Sequence, residues 1–207
     1  MERFDFLVSK LLDFLPGGIY GILSVIIGIL GDLLAFLLFP GYNSTLNMVS
    51  DLGLGPGGIF FNLGLIISGI VAIPFYISLG KVFNKESDNI IIRKGAILSA
   101  VISCITFSFI GIFPALRGNK LMIFLHGTFS FICLLTAIGY MLLFSILMFK
   151  DERYSILHVS IGIIVACIIL LFLLTWLPII EWLLTGAIIF WVLFNSIYLI
   201  KNEDLIR

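Results

Sequence analysis

The chain has 207 residues, of which 61% are hydrophobic and 12% charged, with a mean hydropathy of +1.22. Water-soluble domains hold their apolar share to about 45–50%, so this composition excludes a soluble fold and predicts an all-α polytopic membrane protein. Lys and Arg total 12 and Asp and Glu total 12, which leaves no net field to gather nucleic acid and makes the position of each charge the informative quantity.

Residues 1–15 place Phe4, Leu7, Val8, Leu11, Leu12 and Leu15 at helical spacing, with Arg3, Asp5, Lys10 and Asp13 around the rest of the wheel. That pattern predicts a short amphipathic helix lying in the interface, separated from the first span by a break at Pro16-Gly17-Gly18. Six apolar runs come next, at about 17–39, 57–79, 95–115, 121–149, 156–177 and 181–200. Each approaches or exceeds the roughly 20 residues needed to cross ~30 Å of hydrocarbon. Backbone groups in lipid must be satisfied within their own segment, so these runs are expected to form a six-helix bundle in one membrane domain spanning 1–207. The fourth run is too long to stand upright and should tilt or protrude. Cys104, Cys133 and Cys167 each fall inside an apolar run, where cysteine behaves as a small hydrophobe. They form neither a disulfide framework nor a metal-ligand spacing, and no cofactor is implied.

Basic residues are divided unevenly between the two sides. Ten lie in the N-terminus, the second and fourth loops and the C-terminal tail, against Arg117 and Lys120 alone on the other side. By the positive-inside rule both termini should be cytoplasmic in the cell membrane, with the 40–56 loop external.

That loop is the longest polar interruption that is not also basic, and it carries one charge, Asp51. Asp32 lies seven residues before Phe39, about 10 Å below the same surface, and His126 lies five past Leu121, roughly 7–8 Å below it. Asn62 comes early in the second span and Glu181-Trp182 open the sixth. Together with Ser50, Asp51 and Arg117 they form a ring of polar groups at one membrane depth. Ionisable residues in a span are costly and should face a cavity or a partner. One reading is an outer-leaflet pocket for lipid or glycolipid head groups, in which His126 acts as a base beside Asp51 or Asp32, with Ser50 adjacent. The other is a non-catalytic network of ion pairs, such as Arg117 to Glu181 or Asp32 to His126, that locks helices together. Ser50 and Asp51 can also serve only to cap a short loop helix or the second span. Ile, Phe and Leu dominate the inner half, which argues against a solute-transport path. Membrane lipids are thus the expected partners.

The elements GYN…VSDLG…P…N (41–62), GIFPALRGNKLMIFLHGTFSF (111–131) and Glu181-Trp182 resemble domain-of-unknown-function family 998, a group of archaeal and bacterial multipass proteins. They are similar more widely to the Frag/DRAM/Sfk-like membrane proteins, which share Ser-Asp-x-Gly in the first external loop, a histidine in the fourth span and an acidic-Trp pair opening the sixth. The resemblance covers almost the whole chain and singles out Asn43, Ser50, Asp51, Gly53, Pro114, His126, Glu181 and Trp182. It implies no established activity for the microbial family, whereas eukaryotic relatives are linked to remodelling of glycolipid anchors and to autophagy. Leu52 stands where DRAM-like proteins usually show Thr, which favours the microbial branch.

Overall fold

The computed structural model describes residues 14–83 and 90–202. Six long helices run through them: α1 (Gly17–Leu37), α2 (Gly58–Val82), α3 (Ile90–Ile112), α4 (Lys120–Phe149), α5 (Ile156–Thr175) and α6 (Pro178–Lys201). All six are long and apolar enough to cross a membrane, no strand occurs among the described residues, and the chain is a multipass membrane protein. Residues 1–13 of the segment expected to lie in the interface fall outside the described residues, as do Lys85 and Arg207 of the charge count.

Local chemistry sets the helix ends. Pro16 immediately precedes α1 and Pro178 occupies the first turn of α6, where a missing N–H costs nothing. The Asn119 side chain caps α4 by accepting from Met122 N at 3.2 Å. Helix α3 begins at Ile90 rather than at 95, and α2 continues through Lys81 to Val82. Hydropathy marks only the hydrocarbon-level part of a helix, whereas basic residues extend these two beyond it. Helix α4 has 30 residues, so it is about 45 Å long and exceeds a ~30 Å slab unless tilted.

Each helix packs against its neighbours in sequence, and α6 returns to α1, closing a ring. Helices α1 and α2 cross closely, and a Cβ on Gly31 would sit 2.8 Å from Phe60 O and 3.0 Å from Gly64 Cα. Small residues allow this approach, which substitutes for the hydrophobic drive that lipid does not supply. The main core gathers around Trp191, Phe75, Tyr76, Met141 and Phe144. A separate, smaller core of Ala35, Val49, Leu52, Phe61 and Leu65 lies under the α1–α2 loop.

Packing is tighter at the end away from that loop. The buried residues of α4 begin only at Cys133 and continue to Met148. Contrary to the apolar inner half expected from the sequence, this region buries Ser145, His158, Asn195 and Ser196 and pairs Tyr76 OH with Tyr140 OH at 3.1 Å. Hydropathy averages hide such groups; Ser145 and the two tyrosines find partners in a nearby carbonyl and in each other. A clasp closes this end. Arg153 donates from Nε to Asp151 Oδ1 at 2.8 Å, and from Nη2 to Asp151 Oδ2 at 2.5 Å and to Val82 O at 3.0 Å. Tyr198 OH in turn donates to Arg153 O at 2.8 Å. The end of α2, the α4–α5 turn and the last turns of α6 are thereby joined.

Candidate functional site

The loop between α1 and α2 is organised by a 3-10 turn, Val49–Leu54. Val49 and Leu52 point into the small core, which turns the polar edge of the element upward. Asp51 closes the turn on itself: its N–H donates to Met48 O at 3.1 Å, and its Oδ2 accepts from Met48 N at 2.9 Å. This is reciprocal capping, the structural role open to Asp51 from the sequence.

The start of the turn is held from the far end of the chain. Glu181, in the first turn of α6, accepts from Val49 N at 2.6 Å through Oε2, and the backbone N–H and hydroxyl of Ser50 face the same carboxylate. The orphan donors at the beginning of a helical turn favour an anion, and here a carboxylate 132 residues away supplies it. Trp182, the next residue, donates from Nε1 to Tyr42 OH at 3.2 Å, and Tyr42 OH donates to Met48 O at 2.6 Å. The Tyr42 ring meets Phe36, Phe39 and Trp182 edge-on, with centroids 5.5, 5.3 and 6.1 Å away. Burial pushes the Tyr42 phenol up to about 12; the Trp182 hydrogen bond opposes the shift, and the charges of Glu181, Asp51 and Asp32 add to it. The phenol therefore keeps its proton at neutral pH and remains a donor to the loop. Tyr42 is the hub that sequence reasoning passed over; an aromatic hydroxyl between two glycine-bearing turns was its only signal.

The remaining candidates are distributed around this frame. Asn62 donates from Nδ2 to Gly53 O at 3.3 Å, and a Cβ on Gly53 would lie 2.6 Å from Asn62 Oδ1, so glycine is required for that contact. Asn43 folds its own turn, with Oδ1 accepting from Thr45 N at 2.9 Å and Thr45 Oγ1 at 2.7 Å. His126, half-buried on α4, lies 3.0 Å through Nδ1 from Phe113 O, just past the end of α3. A carbonyl only accepts, so Nδ1 carries a hydrogen toward it. Asp51 is near enough for its charge to act on His126, but Asp51 and His126 each hydrogen-bond elsewhere, Ser50 faces Glu181, and the three form no relay among the described residues. Neither the Arg117–Glu181 nor the Asp32–His126 ion pair forms among the described residues. Asp32 is half-buried on α1, with no hydrogen-bond partner among the described residues.

A cleft of about 340 Å³ opens at the loop surface between Phe39, Asn47, Asp51, Leu54, Leu116 and Arg117. Three of these side chains are apolar; the others are a carboxylate, an amide and a guanidinium. Arg117 and Leu116 come from the α3–α4 turn, where Leu116 N donates to Pro114 O at 2.7 Å. Arg117 is exposed and has no ion-pair partner among the described residues. Thus Asp51 and Arg117 line a common cleft, whereas Glu181, Trp182, Asn62 and His126 bond to Val49, Tyr42, Gly53 and Phe113 and do not line it. No group of three or more His, Cys, Asp or Glu side chains is placed to hold a metal among the described residues.

No curated protein and no solved structure matches the chain. The model of the family described as protein of unknown function, DUF998, matches residues 22–197, a stretch that holds every residue of this frame from Asp32 to Trp182, and the chain belongs to that family.

Proposed function

We propose that the protein binds the head group of a membrane lipid or glycolipid in the cleft beside the α1–α2 loop, at the outer face of the cell membrane. The observation that carries this reading is the lining: an uncommitted guanidinium, Arg117, faces Asp51 and Asn47 across Phe39, Leu54 and Leu116. A guanidinium suits a phosphate oxygen, a carboxylate accepts from an amine or sugar hydroxyl, and the apolar side chains suit the upper part of an acyl chain. Binding is favoured over turnover because Asp51 and His126 spend hydrogen bonds on the frame and Ser50 faces Glu181. The resemblance of Ser50-Asp51-Leu52-Gly53, His126 and Glu181-Trp182 to the Frag/DRAM/Sfk-like proteins supports a lipid-directed role. In this chain those residues act as positioning groups.

Native mass spectrometry of the detergent-purified protein titrated with phosphatidylethanolamine tests the reading. Arg117→Gln should reduce lipid occupancy about tenfold, since a hydrogen bond to a charged group contributes on the order of 1.5 kcal/mol or more. The melting temperature should not change, because the side chain is exposed. Equal occupancy in Arg117→Gln and wild type would sink the proposal.

The orientation rests on the ten-to-two division of basic residues. With the three native cysteines replaced by alanine, Leu46→Cys, at a position 76% exposed, should react in intact cells with a membrane-impermeant thiol reagent. Glu152→Cys, on the exposed α4–α5 turn, should react only after lysis. The reverse pattern moves the cleft to the cytoplasm.

A further inference from the structure

The cleft beside the α1–α2 loop holds two opposite charges that leave each other unneutralised. Asp51 and Arg117 both line it, yet no ion pair joins them among the described residues. Asp51 spends one oxygen on its own turn, Oδ2 accepting from Met48 N at 2.9 Å, and its Oδ1 has no donor among the described residues. Asn47, also in the lining, accepts from Asn43 N at 3.0 Å through Oδ1. That bond fixes which end of the amide is oxygen and leaves the two Nδ2 hydrogens as donors. The polar part of the lining therefore offers a guanidinium and an amide NH2 as donors and one anionic oxygen as acceptor. The rest, Phe39, Leu54 and Leu116, is apolar.

A charge left uncompensated beside apolar walls is costly, so the guest has to answer both signs at once. A free phosphate or an anionic head group suits Arg117 and meets repulsion at Asp51. A lone amine suits Asp51 and meets repulsion at Arg117. Sugar hydroxyls bond to either group and neutralise neither. A quaternary ammonium carries the positive charge but has no N–H to give Asp51 Oδ1, and charge-assisted hydrogen bonds are the strong ones. The volume of about 340 Å³ is at the lower end of the roughly 300–1,000 Å³ of ligand sites, which suits one head group and the first carbons of its chains. Building on the assignment of this cleft to a lipid head group, we propose that it selects a zwitterionic phospholipid ending in a primary ammonium. Its phosphate oxygens accept from Arg117 and Asn47 Nδ2, and its ammonium donates to Asp51 Oδ1.

Native mass spectrometry of the full chain in detergent, titrated with lipids of matched acyl chains, tests the selectivity. In wild type, phosphatidylethanolamine should reach half occupancy at a concentration about tenfold below phosphatidylcholine, which lacks the N–H, and phosphatidylglycerol, which lacks the cation. Asp51→Asn keeps an oxygen for Met48 N and removes the charge, so it should erase the advantage over both. Arg117→Gln separates this proposal from the reading beneath it. Equal occupancy by the three lipids in wild type, all lowered in Arg117→Gln, overturns the amine selectivity and leaves the lipid site standing. Occupancy unchanged by Arg117→Gln removes the site, and the selectivity with it. Glycerophosphoethanolamine, the same head group without acyl chains, should not displace the lipid when present in excess; displacement would mean a water-soluble guest and overturn the phospholipid. Retention of the advantage in Asp51→Asn also overturns the proposal, and if that variant fails to fold, the wild-type ranking decides alone.

Discussion

Glu181→Ala is expected to loosen the 3-10 turn at Val49–Leu54 while the six helices remain in place. The carboxylate accepts from Val49 N at 2.6 Å and faces the Ser50 N–H and hydroxyl. Alanine leaves those donors without an acceptor beneath a loop that covers its own core. Stranding a buried donor costs about 1–3 kcal/mol, and more where the lost partner was charged, so the loss should fall at the upper end of that range. Tyr42 and Trp182 still tie the loop at Met48, which makes the opening local. Hydrogen exchange should therefore accelerate first at Val49 and Ser50, with a lower melting temperature in detergent. Glu181→Gln keeps an acceptor oxygen but loses the charge, and its effect should be intermediate. Unchanged exchange at these two amides in Glu181→Ala would show that the turn stands without α6.

That dependence explains why the fold could be read from the sequence and the site only in outline. Length and hydropathy determine the number of spans, because lipid leaves a continuous apolar run no alternative to a helix. Small residues recur at helical spacing along α1, and the helix buries Gly17, Gly21, Ser24, Gly31 and Ala35 on that face. Shared depth brought Asp51, His126, Glu181 and Trp182 to one end of the bundle. It could not say what each side chain does there. Charge complementarity favours pairing Arg117 with Glu181, whereas the structure assigns Glu181 to backbone N–H groups and His126 to a carbonyl past the end of α3. Helix ends supply unpaired donors and acceptors wherever a chain turns, and these partners are invisible to a search among side chains. Tyr42 was missed for a related reason. It is ordinary by residue type, and only the packing around it makes its hydroxyl the joint between Trp182 and Met48.

At the opposite end of the bundle, Arg153→Ala should open the clasp and make stability insensitive to the titration of Asp151. Its guanidinium holds Asp151 at 2.8 and 2.5 Å and the end of α2 at Val82 O, and both side chains are half-buried, 28% exposed for Arg153 and 17% for Asp151. Removing it leaves Val82 O without its donor and Asp151 with only the backbone N–H of residue 153, at 3.1 Å, a loss of roughly 1–3 kcal/mol. The hydrogen bond and charge of Arg153 hold the Asp151 carboxyl below its usual range, with partial burial opposing them. Because the folded-state value is the depressed one, the stabilisation is fully present above the unfolded carboxylate value of about 3.9 and is lost as pH falls through the folded value. Melting temperatures of wild type and Asp151→Asn should therefore differ at neutral pH and converge in acid, while Arg153→Ala and the double variant should differ little at either pH. A gap between wild type and Asp151→Asn that persists into strong acid would mean that Asp151 contributes through its shape and backbone contact, not its charge. The same outcome would leave the Val82 hydrogen bond as the working part of the clasp.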